Sequence, residues 1–163
     1  MRGPRFPACS PTLECAQNGR SCATNGYGRR DWWADRDAPV VANLLTLLIA
    51  VDPDRRGINV SSDPQVEQAR WNRILERHQE ITTQLITMRA GHPSELIRAC
   101  AGELEVQMAQ AVTQTQWLVK DLLENRDVGD QDIAEQSHRA ASETASKLER
   151  LVIEYGSSGK VSG

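Results

Sequence analysis

From Trp71 onward the chain places core-type residues three and four positions apart, first as Trp71, Ile74, His78, Ile81, Leu85 and Met88. Three-four spacing puts one residue per turn on a single side of an α-helix and excludes the alternation of a half-buried strand. Two later segments repeat it, each with one extra four-residue step. The first runs Ile97, Cys100, Leu104, Met108, Ala111, Thr115, Leu118 and Leu122; the second runs Ile133, Ser137, Ala140, Thr144, Leu148, Leu151 and Tyr155. The extra step is a stutter, which locally straightens a supercoil. The pattern predicts an all-α fold, an elongated up-and-down bundle of about four helices in which three are long and amphipathic.

Helix boundaries follow from local chemistry. Asp63-Pro64 is a cap followed by a residue pre-set for a first turn, and Gly91 with Pro93 forces a reversal before a start near Ser94. This predicts an antiparallel hairpin from Asp63 to about Leu122. Gly129 marks the next turn, with Asp130 or Asp132 capping the last long helix and Glu135 completing a capping box with Asp132. The fourth helix is short and apolar. Asp37 is read as its cap, Pro39 falls in its first turn, and Asp52-Pro53 stops it. Val40, Val41, Leu44, Leu45, Leu47, Leu48 and Ile49 cover most of its circumference, so it needs burial on several sides.

Residues 1–36 hold Pro4, Pro7, Pro11, Gly19, Gly26 and Gly28 without periodicity, and are read as a disordered arm. The bundle then covers 37–156 and a flexible tail 157–163. Aromatic residues make up only 4% of the 163-residue chain, so aliphatic side chains must fill the core. The net charge is −3, and the Arg residues of the arm leave the helical body more acidic than that. An acidic body argues against nucleic acid as a partner, because phosphate neutralisation by Lys and Arg dominates that affinity. Arg29, Arg30, Trp32 and Trp33 mix charge with stacking rings, but Asp31 and Asp35 dilute them; Trp32 and Trp33 are read as covering the start of the apolar helix. The start of the chain lacks a leader-type apolar run, and Pro39–Val51 falls short of a bilayer span, so a cytoplasmic, non-membrane setting is expected.

Cys9, Cys15, Cys22 and Cys100 match no zinc spacing, and Cys100 lies on a helical seam as a small apolar residue. Glu135 and His138 share the spacing of one half of a di-iron site, but no second such pair exists in the chain. No metal or other cofactor is expected.

Arg73 and His78, with four residues between them, resemble the active-site motif of the HEPN ribonucleases, a family of helical bundles. The resemblance implies an Arg that holds phosphate and a His that moves protons at the 2′-hydroxyl, at an interface between two copies. Ile74 stands where that family commonly has a polar residue, and the pair lies in the second helix rather than late in the bundle. The leading expectation is instead a non-enzymatic protein-interaction or assembly module with a protein partner or a second copy of itself. Its working surface is read as the apolar helix with the seam it covers: Leu44, Leu45, Leu48, Trp71, Ile81 and Leu118. The ribonuclease using Arg73 and His78 is the alternative.

Overall fold

The computed structural model of the chain describes residues 25–126 and 131–158. They form α1 (Asn25–Ala50), α2 (Pro53–Ile58), α3 (Pro64–Gly91), α4 (Glu95–Leu123) and α5 (Gln131–Ser157), with no strand among the described residues. The four long helices close a ring in the order α1, α3, α4, α5 and back to α1. His92, just past α3, meets Asp37 in α1, whereas His138, early in α5, meets Leu48 near the end of α1. Helix α1 therefore runs antiparallel to α3 and α5, and the bundle alternates up and down as the loop lengths require. None of the described helices is long and apolar enough to cross a membrane.

The predicted seams supply most of the core. Trp71, Ile74, Ile81, Leu85 and Met88 of α3 and Ile97, Cys100, Leu104, Met108, Ala111, Thr115 and Leu118 of α4 are buried. Their helices start as the caps predict. Asp63 accepts the Gln65 N–H at 2.9 Å, and Ser94 accepts that of Ile97 at 3.4 Å. Asn125 takes a left-handed conformation (φ 49°) just beyond α4.

Three boundaries differ from expectation. Helix α1 begins at Asn25, twelve residues before Asp37, so 25–36 is helical rather than part of an arm and Pro39 lies inside the helix. Asp37 is not a cap because its carboxylate is committed elsewhere: it is buried against His92. Tertiary contacts hold the extra turns, since Trp33 packs on His92 and Ala34 lies so near Gly156 that a Cβ there would sit 2.9 Å away. Residues 53–58, expected as loop, form α2, whose cap Asp52 accepts the Asp54 N–H at 3.1 Å. Asp52-Pro53 is thus a stop and a start at once. In α5 the seam is displaced by one residue at its beginning: Ala134 and Ala141 are buried, while Ile133 is largely exposed. Asp132 lies within the first turn of α5. The readings for 1–24, for Cys9, Cys15 and Cys22, for Gly129 and Asp130, and for 159–163 lie outside the described residues.

Candidate interaction surface

The six residues read as a working surface lie inside one chain's fold. Leu44, Leu48, Trp71, Ile81 and Leu118 are buried and Leu45 is partly buried, so they anchor α1 to the bundle and are not open to a partner. The end of α1 is tied down as well. Its last carbonyls have lost their helical partners and take side-chain donors instead: Arg56 Nε to Ala50 at 2.7 Å and Thr115 Oγ1 to Val51 at 3.0 Å. His138 Nε2 lies 2.9 Å from the Leu48 carbonyl oxygen. His138 thus serves α1, while Glu135 accepts from Gln131, and among the described residues no three His, Cys, Asp or Glu converge as a metal site.

At the opposite end of α1 is a second polar lock. Asp37 Oδ2 is 3.0 Å from His92 Nε2, and both side chains are almost wholly buried. The Ser94 N–H donates to His92 Nδ1 at 3.0 Å, which assigns the ring proton to Nε2; that nitrogen lies at ion-pair distance from Asp37 Oδ2 without hydrogen-bond alignment. Trp33 and Tyr155 each stand edge-on to the imidazole, with centroids 4.9 Å away. The Arg36 guanidinium covers Trp33 and Trp32. Burial pushes the Asp37 carboxyl up to about 6, partly offset by Arg36. Burial also lowers the His92 imidazole, with Arg98 and Arg36 acting in the same direction. The pair is sealed from solvent, so its chemistry is that of a clasp and not of a site open to substrate.

Arg73 and His78 do not converge within the chain. Five residues along a helix turn the side chain by about 140°. Arg73 is exposed on the flank of α3 that continues to Arg77 and Glu80, which face Asn43 and Thr46 of α1. His78 is half-buried on the other flank, at the base of a groove of about 470 Å³ between α3 and α4. Its Nε2 is buried without a hydrogen-bond partner among the described residues, and burial holds the imidazole below its ordinary pKa.

That groove belongs to a larger surface absent from the sequence expectations. Outside its core seam, α3 carries a second three-four run, Gln68, Asn72, Leu75, Gln79, Thr82 and Ile86, and none of the six is charged. Helix α4 carries its counterpart, Gly102, Val106, Ala109, Thr113 and Trp117, of which the last four fall within a stretch from Val106 to Val119 that has no charged residue. The two runs lie side by side. Arg89 pairs with Glu105 at 3.1 Å and its stem packs on Gly102, while His78 and Thr82 share the groove with Val106, Ala109 and Thr113. In this antiparallel register Leu75 stands abreast of Trp117 and Ile86 abreast of Val106. Val106 and Trp117 are each 58% exposed, Ile86 40% and Leu75 37%.

The face therefore has two apolar pairs with a groove of mostly small and amide side chains between them, lined also by His78 and Glu105, and Gln68 and Asn72 extend beyond the Leu75 pair. The signal was present in the sequence as a second heptad phase. It is hard to see because its positions are mostly Gln, Asn, Thr, Gly and Ala, which hydrophobicity counts pass over. What marks the run is the absence of charge on a solvent-facing side, in contrast to Arg73, Arg77 and Glu80 across the same helix. Compared with known proteins, the chain matches no protein-family model, no curated protein and no solved structure, so this face's own chemistry is the ground for a functional reading.

Proposed function

We propose that this chain is a non-enzymatic protein-interaction or assembly module whose contact face is formed by α3 and α4. The observation that carries the reading is the second uncharged three-four run on each of these helices, with Leu75, Ile86, Val106 and Trp117 left open to solvent. Seams of this spacing are how one helix packs against another, and here the ring of four helices leaves this seam without an internal partner. Depletion of charge together with an exposed Trp is the composition that distinguishes protein contact surfaces from ordinary surface. The test is substitution. Val106→Glu or Trp117→Glu should abolish association with the partner while leaving helical content and melting unchanged, whereas Ile153→Glu, on an exposed side of α5, should leave association intact. Equal binding by all three variants removes the α3–α4 face from consideration.

A second reading, a ribonuclease of the HEPN type, rests on His78 alone. An imidazole kept neutral by burial, with Nε2 unpaired in a groove, is suited to accept a proton. Arg73 turns to the other flank, so the phosphate-holding group has to come from elsewhere, such as a second copy. Degradation of RNA that disappears in His78→Ala, with the fold retained, supports this reading; no degradation by the intact chain ends it.

A further inference from the structure

We infer that the occupant of the α3–α4 face is a second copy of this chain, packed face to face about a twofold axis; this rests on the α3–α4 face being the contact surface. The first argument is electrostatic. A twofold contact sets a patch against itself, so a patch carrying one sign of charge repels its own copy. The one carboxylate lining its groove, Glu105, is already neutralised by Arg89 across the two helices.

The second argument is hydrogen bonding. Gln79 and Thr82 each carry both a donor and an acceptor, and Gln68 and Asn72, which bond each other at 2.9 Å, keep further donors and acceptors, so identical side chains can satisfy one another, as two carboxylates or two guanidinium groups cannot. A partner of strongly acidic or basic chemistry finds nothing on the face to pair with.

The third argument is placement. Leu75 with Trp117 and Ile86 with Val106 form two apolar pairs on either side of a middle that holds Gln79, Thr82 and Thr113, with Gln68 and Asn72 beyond the Leu75 pair. A twofold axis lying in the plane of the face brings an apolar pair onto an apolar pair whether it runs along the helices or across them. The middle then meets the middle in both cases. His78, at the base of the groove, comes to lie within the shared interface, which leaves the paired-copy arrangement of the ribonuclease reading sterically available.

Area sets the strength. The run is about 25 Å long at 1.5 Å per residue, and two packed helices are roughly 20 Å across. That is about 500 Å² on each copy, or about 1,000 Å² in total, the lower limit for a specific contact. A contact of that size belongs with the weak, reversible class, so the dimer is expected to dissociate on dilution.

The experiment is the solution mass of the full chain by light scattering or sedimentation over a dilution series. It is repeated for Val106→Glu, Trp117→Glu and Ile153→Glu, with circular dichroism on each. The inference predicts a mass that rises toward twice the 18.1 kDa chain for the parent and for Ile153→Glu. It predicts a monomer at every concentration for the other two, with helical content unchanged. A parent chain that stays monomeric at the highest concentration overturns the inference. In that case a photo-crosslinker at position 106 separates the two claims: attachment to a different polypeptide keeps the contact face and removes only the second copy. A parent dimer that survives both Val106→Glu and Trp117→Glu removes the self-pairing and the face together.

Discussion

Asp37 and His92 are a buried titratable pair whose members respond to pH in opposite senses. His92 has a lowered pKa in the fold, so its contribution to stability is present above the ordinary imidazole value of 6.5 and is lost as pH falls through the lowered value. Asp37 has a raised one, so its contribution is present below 3.8 and is lost as pH rises through about 6. At neutral pH the fold thus carries an ionised carboxylate in a dry setting, with Oδ1 lacking a hydrogen-bond partner among the described residues. Asp37→Asn keeps an acceptor for His92 Nε2 and removes the charge. The raised pKa corresponds to a burial cost on the order of 3 kcal/mol. The variant should therefore gain stability over the parent at pH 8, by no more than that amount, and lose the advantage by pH 4. Urea unfolding at both values checks this, and a variant less stable than the parent at pH 8 contradicts it. His92→Ala should be damaging at neutral pH, by about 1–3 kcal/mol, because it removes the polar group beside the buried carboxylate. None of this was legible in the sequence. Asp37 beside Pro39 has the local chemistry of a cap, and its partner lies 55 positions away, where no periodicity connects them.

At the scale of elements, the caps and seams of α3 and α4 could be read because each depends on neighbours within a turn or two. Asp63, Ser94, Trp71, Leu85, Leu104 and Met108 stand where their spacing put them. Helix α1 could not be bounded this way. Its first half is held by Trp33 against His92 and by Ala34 against Gly156, contacts with the far ends of two other helices. Pro39 gives a direct check. Inside a helix it removes the bond its N–H would donate to Asp35, whereas in a first turn it costs nothing. Pro39→Ala should therefore stabilise the chain, by about 1–3 kcal/mol. No change, or a loss, would place the start of α1 near Asp37 after all. The other end of α1 depends on Thr115. Thr115→Val keeps the volume but leaves the buried Val51 carbonyl without its donor, and thermal melts should show a loss of about 1–3 kcal/mol. Helix α5 was misread by one residue at its beginning for a related reason: Ala134 and Ala141 carry no hydrophobic signal comparable with Ile133, yet they are the buried positions.

For the molecule as a whole, the ring of four helices consumes the apolar surface that the sequence offered as a contact face. Leu44, Leu48, Trp71 and Ile81 hold the chain together, and among the apolar side chains left outside are those of the weaker, more polar seam of α3 and α4. A helical bundle can thus carry two heptad phases, one that folds it and one that faces outward, and only the first is obvious from hydrophobicity. The outer phase was legible in principle from Gln68 to Ile86 as six uncharged positions in register. Its pairing with Val106 and Trp117 required the antiparallel alignment that Arg89 and Glu105 make visible. The central claim is that this chain meets its partner through that face. The most direct measurement is site-specific photo-crosslinking from Val106 in the full chain under native conditions, with Ile153 as the control position. The account predicts an adduct from 106 that competes with unlabelled chain and none from 153. Equal yield from both positions, or an adduct from 153 alone, would contradict it.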